Sequence, residues 1–183
     1  MQKYKIRYKR LVGAGIPSCR VCTSGLTFHR KFVEELTDEE IEGIAKVLDE
    51  CFRTVDDITK QRKKKDRIEY FWLLEGTVCV SVCRISDNGT MIDGYGDHPY
   101  LSYVATATDA RGRGYMQHLL RYALDNSEIT QTNTKNMVLL VRGDNQVAKK
   151  IYAKFGFEKK EGRPDNTEQN IIMERLKPGS PKA

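Results

Sequence analysis

The segment that most constrains the fold lies at residues 100–126. An apolar run, Tyr100-Leu-Ser-Tyr-Val-Ala-Thr106, is followed by Arg111-Gly-Arg-Gly114, and then by Met116, Leu119, Leu120, Ala123 and Leu124 at helical spacing. The run reads as a strand, and the i, i+3, i+4 pattern behind the glycines predicts a helix over roughly 113–126. Gly112 and Gly114 let the backbone turn tightly and approach a ligand with no Cβ in the way. The first N–H groups of such a helix have no internal partner. Its dipole favours an anion there by about 0.3–1 kcal/mol, and Arg111 and Arg113 can add charge-assisted contacts. A turn of this kind can hold a pyrophosphate; by itself it can equally be a glycine turn with solvated arginines. A dinucleotide loop is disfavoured, because Gln117 stands where the G-x-G-x-x-G spacing needs its third glycine.

The rest of the chain supplies more strands and helices. A strand is predicted from Thr27 to about Glu34. Thr37 and Glu40 have the spacing of a capping box, ahead of an apolar stripe of Ile41, Ile44, Ala45, Leu48, Cys51 and Phe52. Strands follow at Tyr70–Leu74 and Thr77–Ile85, joined by a turn at Glu75–Gly76. The polar stretch 53–67 has no clear assignment. Beyond a Gly/Asp-rich loop at 86–99 and the strand at 100–106 come a strand at Met137–Val141 and a helix over 145–155. In that helix Val147, Ile151 and Phe155 are spaced by four. A closing pair of strands falls at 157–160 and 171–176. At the start, Tyr4, Ile6 and Tyr8 alternate with basic residues as in a half-buried strand. The pattern is mixed α/β: an N-terminal extension at 1–25, one domain at 26–176 and a disordered tail at 177–183.

Composition narrows the setting. One domain accommodates 183 residues with a sizeable core. No apolar stretch is long enough to cross a bilayer, and residues 1–10 are basic without the apolar run of a signal peptide. A cytoplasmic protein with no membrane partner is expected. Five cysteines, an odd number, point to reduced thiols. Cys19 and Cys22 form one Cys-x-x-Cys with His29 as a possible third ligand, one short of a zinc site, so no metal is expected. The net charge of +6 suits nucleic acid or a phosphate-bearing cofactor equally. The basic run 60–67 lacks interleaved aromatics and reads as a solvated charge run. No nucleic-acid partner is expected from it, although nuclear entry through it stays open.

A second stretch, Val141-Arg-Gly-Asp-Asn-Gln-Val-Ala-Lys-Lys-Ile-Tyr-Ala-Lys-Phe-Gly-Phe157, is a strand end, a capped helix and a glycine stop. The two stretches together resemble motifs A and B of the GCN5-related N-acetyltransferase (GNAT) superfamily. The first matches as Arg-x-x-Gly-x-(Gly/Ala) at 111–116, the second as Asn-x-x-Ala-x-x-x-Tyr-x-x-x-Gly-Phe at 145–157. The resemblance implies a central mixed, mostly antiparallel sheet flanked by helices and splayed between the strands at 100–106 and 137–141. Acetyl-CoA would lie in that wedge. Its pantetheine arm would pair with the backbone of Val104, Ala105 and Thr106, and its pyrophosphate would rest on the amides of Arg111, Gly112, Arg113, Gly114, Tyr115 and Met116. Asn145, with Ala148 behind it on the helix, would reach the pantetheine arm, and Tyr152 would face the thioester sulfur. Met116 departs from the motif, which prefers Gly or Ala; its place on the apolar stripe points its side chain into the core and leaves its amide available.

The implied reaction is acetyl transfer from acetyl-CoA to an amine-bearing acceptor. Tyr152 is a sensible acid for the departing thiolate, since a phenol stays protonated at neutral pH; it can also serve as packing beside Ala148. For the base, the family often uses a carboxylate on the strand that here reads 100–106, and this strand has none. Glu69, Asp93, His98 and Tyr103, the last as a water holder, are the candidates. Two other functions stay open: a module that binds CoA without turnover, and a nucleic-acid binder using the basic run. The loop acids Asp87, Asp93 and Asp97 could attract a cationic acceptor or simply be solvated. Neither the acceptor nor the oligomeric state is legible.

Overall fold

A computed structural model describes residues 25–52, 58–62, 67–89, 92–160 and 170–177. The N-terminal strand expected at Tyr4–Tyr8, Cys19, Cys22, residues 63–66 of the basic run and the tail from residue 178 lie outside them. Seven strands form one sheet: β1 Leu26–Phe32, β2 Ile68–Glu75, β3 Val78–Ser86, β4 Tyr100–Thr106, β5 Met137–Arg142, β6 Phe157–Lys159 and β7 Asn170–Arg175. Their order is β1-β2-β3-β4-β5-β7-β6. Every neighbouring pair is antiparallel except β4–β5. The sheet is the mixed, mostly antiparallel one that the resemblance implies.

The helices are α1 Asp38–Cys51, α2 Ile58–Gln61, α3 Tyr115–Asn126, α4 Glu128–Thr132 and α5 Gln146–Lys154. α1 opens on the predicted capping box, with Thr37 Oγ1 accepting from the Glu40 N–H and Glu40 Oε2 accepting from the Thr37 N–H. It buries Ile44, Val47 and Leu48 and lies over β3 and β4, with Gly43 close to Cys79. α3 covers the opposite face. There its Tyr122 ring meets Phe28 of β1 and Phe71 of β2 at 5.1 and 6.2 Å between centroids.

Several boundaries differ from the sequence expectation. The first strand ends at Phe32 because Val33–Glu35 close into a 3₁₀ turn. α3 begins two residues later than predicted: Gly114 adopts φ +79°, a left-handed conformation that caps the helix from outside and leaves Arg113 in the loop. α4 was not anticipated, though Ser127 is a proper N-cap, its Oγ accepting from the Thr130 N–H. Of the three residues spaced by four in and after α5, Ile151 and Phe155 pack partly against the core. Tyr152 is the residue buried, while Val147 stays 72% exposed.

Glu69 shows how the face opposite α1 is tied. It is fully buried, accepting from Arg30 Nε at 2.8 Å, from the Glu128 N–H at 3.0 Å, from the Ile129 N–H at 3.4 Å and from the Ser127 hydroxyl. One carboxylate thus joins β1, β2 and the start of α4. Adjacent strand residues point to opposite faces, so Glu69 faces α4 while Tyr70 faces α1 and α2. All four of these contacts hold Glu69 in a structural role, and it is withdrawn as a candidate base.

Candidate active site

The sheet parts where its two parallel strands meet. β4 and β5 share one register pair, Tyr100 with Val138, supported by the Val138 N–H donating to the Pro99 carbonyl at 2.9 Å. From Leu101 onward the β4 edge facing β5 has no partner strand among the described residues. α3 and α5 follow β4 and β5, so both helices start at the end where the strands diverge. Crevices at the carboxyl ends of parallel strands are where ligands of such sheets bind.

A bulge adds to the opening. β3 pairs Val82 with Ala105 and Arg84 with Ser102, so Tyr103 and Val104 together stand opposite Cys83. Tyr103 takes φ +50°, a left-handed conformation rare for a non-glycine residue that costs about 1–2 kcal/mol. Its ring is held by the edge of Phe52 at 5.5 Å and by the Arg84 guanidinium stacked 4.4 Å from its centroid. The bulged backbone of Tyr103 and Val104 is thereby released from the β3 ladder.

The glycine turn lies at the mouth of this wedge. Gly112 and Gly114 have φ of +78° and +79°. A Cβ built on either would meet nothing within 4 Å; the glycines answer to backbone conformation, and the space before them is open. Among the hydrogen bonds of the described residues, none uses the N–H groups of Arg111, Gly112, Arg113, Gly114, Tyr115 or Met116. That row of unused amides at the start of a twelve-residue helix, beside an unpaired strand edge, fits a ligand with a pyrophosphate and an amide-bearing arm. Met116 is partly buried against the core, as its place on the apolar stripe suggests.

The two arginines are not loose. Arg111 donates from Nε to the Thr106 carbonyl at 3.2 Å, and its Nη2 lies 3.5 Å from Cys51 Sγ. Arg113 pairs with Glu75 at 3.1 Å, and Glu75 also accepts from the Tyr115 hydroxyl; Tyr115 first and Glu75 second raise the Arg113 pKa further. Sequence spacing gives no hint of Glu75, which arrives from β2. On the other wall, Asn145 caps α5: its Oδ1 accepts from the Ala148 N–H at 3.0 Å, leaving its amide N–H donors. Tyr152, one turn beyond Ala148, is buried, with its ring edge-on to Phe157. Burial pushes its phenol well above the ordinary tyrosine value, and Cys83 and Tyr100 act in the same direction. Its hydroxyl makes no hydrogen bond to any described residue and stays protonated across physiological pH.

The remaining candidate bases are scattered. His98 precedes β4 at the end where β4 and β5 are still paired, its Nδ1 against the Asn136 carbonyl at 2.9 Å. Asp93 is exposed in the loop before it. Of the four, Tyr103 alone stands on the diverging stretch of β4. Among the described residues, no cluster of three or more His, Cys, Asp or Glu could hold a metal, and no helix is long and apolar enough to cross a membrane.

Comparisons with known proteins agree with this geometry. No curated protein matches the chain in sequence. Solved structures do match in fold. An acyl-CoA N-acyltransferase from Pseudomonas aeruginosa superposes with a TM-score of 0.64 at 18% identity, covering 82% of this chain and 99% of that one. The ribosomal-protein-S18-alanine N-acetyltransferase of Escherichia coli gives 0.59 at 17% identity, over 81% and 92%. The PaiA N-acetyltransferase of Thermoplasma acidophilum, solved in complex with coenzyme A, gives 0.59 at 14%, over 82% and 99%. At these identities the likeness is one of fold. The family model of the acetyltransferase (GNAT) family matches residues 32–157, which hold α1, the splayed strands, the glycine turn and Tyr152. By that match, over more than half of its length, the chain belongs to the acetyltransferase (GNAT) family, and its expected activity is acyl transfer from an acyl-CoA.

Proposed function

We propose that this protein is a cytoplasmic enzyme that transfers the acetyl group of acetyl-CoA to a primary amine of a small molecule or a protein. The observation that carries the reading is the parting of β4 and β5 after one register pair, with six unused amides at its mouth. In this reading the edge of Val104, Ala105 and Thr106 pairs with the pantetheine arm. The amides of residues 111–116 hold the pyrophosphate. The amide N–H of Asn145, beside Ala148, meets the arm from the α5 side. Because Arg113 is already paired with Glu75, the amides and the helix dipole supply more of the phosphate binding than that side chain does.

Acetyl-CoA, when bound, supplies the acetyl group as a thioester. The chain's own residues must then manage two protons. An alkyl amine near pKa 10.4 is protonated at pH 7, a handicap of roughly 4–5 kcal/mol that a base or water must relieve. Tyr103 on the bulge is the residue placed to hold such a water. Tyr152, a phenol that is protonated at neutral pH, gives its proton to the departing sulfur. Incubation with acetyl-CoA and a broad amine panel, read by mass, tests the reading. The expected product is at least one amine heavier by an acetyl group, with CoA released. CoA binding with no acetylated amine would instead identify a binding module without turnover.

A further inference from the structure

The turn that carries the amides of residues 111–116 has little in its own backbone to hold it. Gly112 and Gly114 both sit at positive φ, and none of the N–H groups from Arg111 to Met116 donates within the described residues. Glycine reaches many other conformations at little cost. The turn is fixed instead by side chains. Upstream, Glu50 Oε2 at the end of α1 accepts from the Thr108 N–H at 2.9 Å, and Arg111 Nε donates to the Thr106 carbonyl. Downstream, a single carboxylate holds both neighbours of Gly114. Glu75 Oε2 accepts from Arg113 Nη1 at 3.1 Å, and Glu75 Oε1 accepts from the Tyr115 hydroxyl.

Glu75 is placed to act as a fixed point. It is the last residue of β2 and stands in register between Leu26 of β1 and Val78 of β3. Its two contacts are unequal. The Arg113 side chain is 52% exposed and that of Glu75 45%, and solvent offsets most of an ion pair in that setting. Tyr115 is only 5% exposed, so the core holds its ring in one place. The phenol therefore carries more of the hold than the guanidinium does. A carboxylate beside a pyrophosphate also repels it, but at so exposed a position water and salt screen that repulsion. Holding the turn outweighs repelling the ligand.

We propose that Glu75 is a positioning residue for the cofactor: through Tyr115, with Arg113 in support, it sets the turn around Gly114 so that the amides face the pyrophosphate before the ligand arrives. This rests on the reading that residues 111–116 hold the pyrophosphate of an acyl-CoA. Ordering that binding would otherwise have to impose is completed in the free protein.

Calorimetric titration with CoA tests the proposal without any acceptor. Glu75→Ala is expected to raise Kd about tenfold, or about 1.4 kcal/mol, the scale of re-ordering one residue's backbone. Tyr115→Phe should raise it nearly as much. The double variant should add no more than about twofold to the larger single effect, because both substitutions remove one shared contact. Glu75→Gln keeps an oxygen for the Tyr115 phenol and should recover most of the affinity. Melts of the ligand-free variants accompany the titrations: an unchanged Kd with a lowered melting temperature would make Glu75 purely structural and overturn the proposal. So would tighter CoA binding by Glu75→Ala, an unaffected Tyr115→Phe, additive effects of the two, or a Glu75→Gln as weak as Glu75→Ala. If Glu75→Ala does not fold, Tyr115→Phe decides on the same tenfold criterion. A wild type that binds no CoA overturns the underlying reading instead.

Discussion

Replacing Glu69 with alanine is expected to lower the unfolding free energy by about 3–5 kcal/mol, a fall in melting temperature of roughly 6–20 °C for a chain of this size. The salt bridge is not the main reason, because the Arg30 side chain is 28% exposed and solvent takes up much of its loss. The larger cost comes from the Ser127 hydroxyl and the N–H groups of Glu128 and Ile129. These lose their shared acceptor at a site that is fully buried at Glu69 and Ser127, at about 1–3 kcal/mol for each group left unsatisfied. Glu69→Gln keeps one acceptor oxygen and should lose distinctly less. Thermal melts of both variants decide the point. If Glu69→Ala melts like the wild type while its acetyl transfer disappears, Glu69 is a functional carboxylate after all.

Tyr152→Phe should behave in the opposite manner, keeping the fold and losing the chemistry. The ring packs edge-on to Phe157 and would do so without its hydroxyl, which binds no described residue. What disappears is the hydroxyl proton assigned to the departing sulfur. Such a proton matters mainly in the transition state, so kcat and kcat/KM should fall together with CoA binding nearly unchanged. General acid catalysis contributes about 10²–10⁴-fold, and a fall in that range is expected. Steady-state kinetics beside a calorimetric CoA titration checks it. Wild-type turnover would reduce Tyr152 to packing, and weakened CoA binding would make its hydroxyl a cofactor contact.

Much of the fold was legible because it rests on local signals. Thr37 and Glu40 announce α1, the glycines at 112 and 114 announce a turn ahead of α3, and Asn145 announces α5. These are short-range devices that a linear reading captures. What was not legible depends on register. The pairings of Arg113 and Tyr115 with Glu75, 38 and 40 residues away, exist only because β2, β3 and β4 align as they do. Glu69 shows the same limit from the other side. In sequence it is a carboxylate near a candidate site, and only the path of α4 reveals that its oxygens are taken. The base has no strong local signal either, since the bulge that sets Tyr103 apart is visible only in its left-handed backbone.

The central claim is that the open wedge and the amides of residues 111–116 hold an acyl-CoA. Calorimetric titration and thermal melts with CoA and acetyl-CoA, on the wild type and on Gly114→Val, test it most directly. The Cβ of valine would enter the open space before the amides, at a φ that a β-branched residue adopts only with strain. The wild type should bind and, at about 100-fold excess over Kd, gain about 2.7 kcal/mol, or roughly 5–10 °C. Gly114→Val, with its circular dichroism unchanged, should give neither heat nor shift. A wild type that shows no heat and no shift at saturating acetyl-CoA would contradict the account, as would a folded Gly114→Val that binds CoA with wild-type affinity.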